Sequence, residues 1–211
     1  MEDYYDQVAG FTTNPTLMRK SGIINYRLFA EAAISIAKDK PISFEVFGDD
    51  PKEIIRQASK LSDMGDNVYV KIPAMFTDGE STVNTIHHLA ITGVKLNVTA
   101  VMSMRQIDVL ARALTDTPAI LSIFAGRIAD TGRDPAPFFT KAIHVKQAHT
   151  KTLWASPREV LNVKQAQAIG ADIITLTPEL INKMAYFEKD LEEYSLETCK
   201  MFYRDADGLE L

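Results

Sequence analysis

Three pieces of sequence follow one another closely: Ile42-Ser-Phe-Glu-Val-Phe47, then Asp50-Pro51-Lys-Glu-Ile-Ile-Arg-Gln-Ala-Ser-Lys-Leu61, then Val68-Tyr-Val-Lys-Ile72. The outer two are short apolar runs rich in β-branched residues, long enough for a strand and too short for an independent helix. The middle one has helical periodicity, with Asp50 placed to cap the N-terminus and Pro51 at the first helical position, where its missing N–H costs nothing. The same grammar recurs along the chain. Further strand-like runs occupy Val8–Thr13, Leu96–Val101, Ile120–Ala125, Thr152–Ser156 and Ile173–Thr177. Between them, Ser103 opens a helical stretch with Ile107, Leu110, Ala111 and Leu114 on one stripe, and Ser156-Pro157-Arg158-Glu159 starts another that closes at Gly170. Strand alternating with helix, about 20 to 30 residues per unit, predicts a parallel α/β sheet.

Composition agrees and narrows the function. With 46% hydrophobic and 24% charged residues over 211 positions, the chain has the make-up of a globular protein with a sizeable core. Twenty-three basic against 28 acidic residues give a net charge of −5, the wrong sign for a nucleic-acid or anionic-membrane surface. A single cysteine, Cys199, excludes an internal disulfide and a Cys-based zinc cluster and fits a reducing, cytoplasmic setting. No apolar run approaches the roughly 18 residues of a bilayer span. The acidic start at Met1-Glu-Asp-Tyr-Tyr-Asp6 is unlike a signal peptide. No Gly- or Ser-rich linker divides residues 1–211, so one domain is expected.

An open sheet that binds a dinucleotide should carry G-x-G-x-x-G after a strand, and none is present. A (β/α)8 barrel takes about 250 residues, with roughly 200 as its lower limit, and remains open to this chain. The seven strand-like runs are one fewer than a barrel needs, and the first begins only about eight residues from Met1. One β/α unit is expected to be missing or truncated at the front.

The strands carry an unexpected polar face. In a parallel barrel both faces of each strand are covered, so near-continuous Val, Ile and Leu are expected. Here a period-two reading places Thr12 and Asn14, Ser43 and Glu45, Lys71, Asn97 and Thr99, Ser122 with Phe124, and Ser156 near the C-terminal ends of six successive strands. Any one of them could simply satisfy neighbouring backbone. Together they converge on the mouth where barrel active sites lie. Lys71 lies in a strand too apolar for a solvated lysine, where it would snorkel outward, pair with an acid or act as a desolvated amine. Burial disfavours its ammonium form and frees the lone pair to attack a carbonyl, giving a Schiff base that serves as an electron sink. Glu45 either neutralises Lys71 or performs general acid/base work on the carbinolamine. Arg127 and the Ser156-Pro-Arg158 turn offer two guanidinium groups, a hydroxyl and a helix N-terminus, a set suited to a phosphate monoester. His87 and His88 are adjacent and His144 and His149 are five apart. Neither pair has the ligand spacing of a helical metal site, so no metal is expected.

Gly10-Phe-Thr-Thr-Asn-Pro-Thr16, Val68-Tyr-Val-Lys-Ile-Pro73, Leu96-Asn-Val-Thr99, Ser122-Ile-Phe-Ala-Gly-Arg-Ile128, Ala155-Ser-Pro-Arg158 and Ile173-Ile-Thr-Leu-Thr-Pro178 resemble, in order, the motifs of the transaldolase family, including its short fructose-6-phosphate-aldolase-like branch. The resemblance implies a (β/α)8 TIM barrel and catalysis with no metal or organic cofactor. By matching motif it implies Lys71 as the Schiff-base lysine, Glu45 as the catalytic glutamate and Thr99 beside them. It also implies Thr12, Asn14, Ser43, Asn97, Ser122 and Phe124 around the dihydroxyacetone part of the sugar, and Arg127, Ser156 and Arg158 at the phosphate. Glu45 and Phe124 resemble the transaldolases, since the aldolase branch has Gln and Tyr at these positions. The substrates implied are sugar phosphates of the pentose phosphate type. Short members of the family also form pentamers or decamers, with a C-terminal helix, here about 187–205, embracing a neighbouring subunit.

One departure stands out. Family members begin with a strand ending in Leu-Asp-Thr/Ser, whose aspartate is the base at the substrate C4 hydroxyl, then a helix. This chain lacks that unit, and Asp3 and Asp6 lie too close to Thr12 to replace it. Either the sequence is truncated at its start, another segment or subunit fills the gap, or the chemistry is altered. Three functions follow in order: transfer of a dihydroxyacetone unit between sugar phosphates, a fructose-6-phosphate-type aldolase, and a catalytically impaired sugar-phosphate-binding paralogue.

Overall fold

A computed structural model describes residues 1–115 and 117–210. The chain forms two compact units, Met1–Thr175 and Leu176–Leu211.

The larger unit starts with a short 3-10 helix, Glu2–Gln7. Then come β1 (Phe11–Thr12), α1 (Pro15–Lys20), α2 (Tyr26–Ala37), β2 (Ile42–Glu45), α3 (Pro51–Ser62), β3 (Val68–Pro73), α4 (Val83–Ile91) and β4 (Leu96–Val101). It continues with α5 (Met104–Ala113), β5 (Ala119–Ile123), α6 (Ala125–Ala129), α7 (Ala136–Val145), β6 (Thr150–Trp154), α8 (Leu161–Ala168) and β7 (Ile173–Ile174). All seven expected strands form, Leu96–Val101 with the bounds read from sequence. They make one parallel sheet in the order β1-β2-β3-β4-β5-β6-β7. Each crossover therefore steps one strand in the same direction, which is barrel winding; a doubly wound sheet reverses direction part-way. The fold is TIM-barrel-like and one unit short, with β1 paired only to β2 and β7 only to β6 among the described residues.

The helices begin where their first residues can satisfy the orphan N–H groups. Asp50 accepts from Lys52 N and Glu53 N at 2.9 and 3.0 Å, and Ser103 forms a reciprocal capping box with Gln106. The α5 stripe of Ile107, Leu110, Ala111 and Leu114 is completely buried, worth about 1.5–3 kcal/mol for a side chain the size of Leu110. One helix start differs from the sequence expectation. Ser156 adopts φ 60° and α8 does not begin until Leu161, because the Asn162 carboxamide oxygen takes the N–H groups of Arg158 and Glu159 at 2.7 and 3.2 Å.

Strand alternation sorts the sheet into two faces. One carries Phe44, Val70, Ile72, Leu96, Val98, Leu121 and Trp154 into the main core beneath the helices. The other carries a small apolar cluster, Ile120, Leu153 and Ala155 with Tyr69, Phe124 and Ile173 against it, together with the polar residues. The polar face is the concave one. Side chains two strands apart meet on it directly, Asn97 of β4 with Ser43 of β2, although strands two apart in a flat sheet are about 9.5 Å from each other.

The smaller unit holds α9 (Pro178–Lys183), a 3-10 turn at Met184–Tyr186 and α10 (Leu191–Asp205). Asp190 caps α10 through Glu192 N and Glu193 N at 3.0 and 2.9 Å. No α10 residue is buried.

Candidate active site

Lys71 owes its place to register. In the β2–β3 ladder it pairs with Glu45, in the β3–β4 ladder with Asn97, and all three side chains emerge on the concave face. Only 8% of Lys71 is exposed. Its Nζ donates to Glu45 Oε2 at 2.9 Å and to the Thr13 carbonyl at 2.6 Å. The amine is thus less isolated than its apolar strand implied: a carboxylate and a carbonyl oxygen satisfy it. Removing one partner from such a pair leaves a charge uncompensated, at about 3–5 kcal/mol.

Beside this pair runs a hydrogen-bonded chain. Ser122 Oγ donates to Asn97 Oδ1 at 2.6 Å, and Asn97 Nδ2 donates to Ser43 Oγ at 3.0 Å. Ser43, Asn97, Thr99 and Ser122 are all buried. Thr99 pairs with Pro73 across the ladder, one step beyond Asn97, and the next residue, Ala100, has φ 58° at a register break between Val98 and Val101. Such bulges re-aim side chains at the rims of barrels. Ser43, Glu45, Lys71, Asn97 and Ser122 therefore lie side by side on the concave face.

The edge of the site differs. Thr12 is exposed on β1, and Asn14 spends its side-chain oxygen as the N-cap of α1, accepting from Leu17 N at 2.8 Å. Phe124 lies between β5 and α6 and packs on the small concave cluster. Arg127 is exposed, its guanidinium carbon 5.9 Å from the Phe124 ring centre. Arg158 is exposed as well and its guanidinium is forked onto Asp130, through Nε at 3.1 Å and through Nη2. Ser156 stands in the turn after β6. The helix N-terminus expected at Ser156–Arg158 is absent, since Asn162 has already taken the loop's N–H groups.

Sequence reasoning missed several residues on which this arrangement depends. Gly126 sits so close to the turn after β6 that a Cβ would lie 1.5 Å from the Ser156 carbonyl oxygen, and its N–H donates to Ala155 O at 3.3 Å. That contact sets Arg127 against the Ser156–Arg158 turn. Asp130 orients Arg158. Tyr26, at the start of α2, donates its hydroxyl to the Glu45 carbonyl at 2.9 Å, and burial pushes the phenol's pKa up. Gly126 and Asp130 lie within or beside a quoted motif that does not mark what they contact, and nothing in the sequence near Tyr26 marks it.

The histidines stand apart: His87 and His149 contact the carbonyls of Ala113 and Leu114 at 3.3 and 3.0 Å. Among the described residues no group of three or more His, Cys, Asp or Glu could hold a metal ion.

A buried lysine, its glutamate and an amide–hydroxyl chain at the C-terminal ends of barrel strands can be compared with known proteins. The sequence model of the family described as Transaldolase/Fructose-6-phosphate aldolase matches residues 1–210. The chain belongs to the transaldolase/fructose-6-phosphate aldolase family. A probable transaldolase of Methanococcus maripaludis strain C5 is 33% identical over 180 residues, covering 84% of this chain and 80% of that protein. Probable transaldolases of Thermoanaerobacter sp. strain X514 and Clostridioides difficile strain 630 are 32% and 33% identical over 209 residues, 97% of this chain in both cases, and 90% and 89% of those proteins. Family membership establishes aldolase-type carbohydrate chemistry in general terms. No helix among the described residues is long and apolar enough to cross a membrane.

Proposed function

We propose that this chain is a class I transaldolase that moves a dihydroxyacetone unit between sugar phosphates through a Schiff base on Lys71. The observation that carries this reading is the buried Lys71 amine held 2.9 Å from Glu45 at the C-terminal end of the strands. The amine attacks the ketose carbonyl, forming a C–N bond, and the carbinolamine loses water with Glu45 giving and taking the proton. The protonated imine then accepts the electron pair of the breaking C3–C4 bond. The aldose phosphate leaves as its C4 hydroxyl gives its proton to a water, and an enamine remains on Lys71. Addition of that enamine to a second aldehyde, followed by hydrolysis, returns the free lysine. Asn97, Thr99, Ser43 and Ser122 orient the donor hydroxyls and a water. Thr12, Asn14 and Phe124 border the sugar, and Arg127, Ser156 and Arg158 bind the phosphate. The exposed apolar residues of α10 support assembly as a homo-oligomer, a pentamer or decamer: Leu191, Leu196, Phe202 and Tyr203 are 79%, 54%, 63% and 85% exposed. The lone cysteine, Cys199, supports a reducing cytoplasm.

One observation favours a second reading. Glu45 is the only carboxylate within the seven strands, so no strand residue stands ready as base for the C4 hydroxyl. Losing such a base costs about 10²- to 10⁴-fold, which would leave a sugar-phosphate-binding paralogue that forms the imine without turning over. A third outcome is an aldolase that releases free dihydroxyacetone. Product analysis with fructose 6-phosphate, with and without an acceptor aldose phosphate, separates them. Transferase activity gives a new ketose phosphate only when acceptor is present. Free dihydroxyacetone without acceptor indicates the aldolase, and no product in either arm indicates the impaired paralogue.

A further inference from the structure

The ladder between β1 and β2 ends at an identifiable atom. Phe11 N–H donates to Pro41 O at 2.8 Å and Thr13 N–H to Ser43 O at 3.0 Å. A parallel ladder advances two residues on each strand per step. The next donor is therefore residue 15 and the next acceptor the Glu45 carbonyl. Residue 15 is proline, which has no N–H and here opens α1. A buried carbonyl left without a donor costs about 1–3 kcal/mol. The Glu45 carbonyl has a donor from elsewhere, the Tyr26 hydroxyl at 2.9 Å.

Tyr26 is held for this contact. Its ring lies 6.3, 4.7 and 6.4 Å, centre to centre, from Phe44, Phe47 and Phe29. Burial raises the phenol's pKa, so the group keeps its proton and remains a donor. The Thr13 carbonyl is the second acceptor of the Lys71 amine.

We propose that Tyr26 is a positioning residue for the Lys71–Glu45 pair: its hydroxyl replaces the ladder donor that Pro15 removes and so fixes the Glu45 carboxylate against the amine. Its catalytic significance rests on the Schiff-base reading above; the geometric claim is testable without it.

The test compares wild type, Tyr26→Phe, Glu45→Gln and the double variant, all as full chains. Tyr26→Phe removes one hydroxyl and keeps the ring. At one fixed pH, each protein is labelled with acetic anhydride and the rate at Lys71 is read by peptide mass mapping, with the shielded Lys146 as internal control. Tyr26→Phe is expected to speed Lys71 labelling about threefold with Lys146 unchanged. Adding it to Glu45→Gln is expected to change the rate by less than about 1.5-fold, because the hydroxyl acts through a carboxylate already gone. No acceleration in the wild-type background, or equal acceleration in both backgrounds, overturns the proposal; a merely structural effect would speed both and Lys146 as well. Where wild type turns over sugar phosphate, Tyr26→Phe should also lower kcat about tenfold with KM within about twofold. Absence of turnover in wild type counts against the Schiff-base transferase, while the labelling result still decides the role of Tyr26.

Discussion

Lys71, Asn97 and Ser122 are 8%, 1% and 3% exposed and sit on strands locked to a neighbour on each side. Arg127 and Arg158 are exposed, and they project from a short helix and a loop whose relative placement depends on one glycine. The buried cluster is built from single hydrogen bonds among largely buried groups. The arginine rim is built from an exposed ion pair, worth about 0–1 kcal/mol, and a close approach of backbone. Precision at the first region comes from the sheet, so its side chains are tied to the stability of the fold. At the second, exposed guanidinium groups hang on a scaffold that scarcely depends on them.

The largest expected effect tests the buried half. Glu45→Gln should lower kcat about 10²- to 10⁴-fold, the usual loss for a positioned acid/base group, as measured by steady-state turnover. Next is the joint between the halves. Gly126→Ala pushes a methyl group onto the Ser156 carbonyl and should destabilise the fold by about 1–3 kcal/mol or more, read from denaturant unfolding. A normal midpoint for this variant would mean that the rim is not jammed as described. Third, Asn97→Ala strands the hydroxyls of Ser43 and Ser122 and should cost about 1–3 kcal/mol of stability together with a fall in kcat. The smallest change in stability belongs to Arg158→Ala, within about 0.5 kcal/mol of wild type. It should raise KM about tenfold for a phosphorylated acceptor and leave kcat and the KM of an unphosphorylated acceptor nearly unchanged. A large stability loss for Arg158→Ala, or none for Asn97→Ala, would break the contrast.

How legible each region is in sequence follows the same division. Strands write their faces into the chain with period two, so the alternation in Val68-Tyr-Val-Lys-Ile and Leu96-Asn-Val-Thr placed Lys71, Asn97 and Thr99 on the face where they are found. Helix starts with strong caps, Asp50 and Ser103, were legible for a similarly local reason. Ser156-Pro157-Arg158-Glu159 has the local chemistry of a helix start too, yet Asn162 competes for the same N–H groups and Ser156 turns left-handed. Tyr26 could not be found locally, because its role exists only once β1 and β2 are in register and Pro15 falls opposite Glu45. Gly126 carries no signal in its own motif that says what backbone will approach it.

The most direct measurement is borohydride reduction in the presence of fructose 6-phosphate, followed by peptide mapping. A Schiff-base enzyme of the kind proposed becomes stably modified on Lys71, and on no other lysine, with the label absent from Lys71→Met. An unmodified Lys71, or label spread over surface lysines, would contradict it.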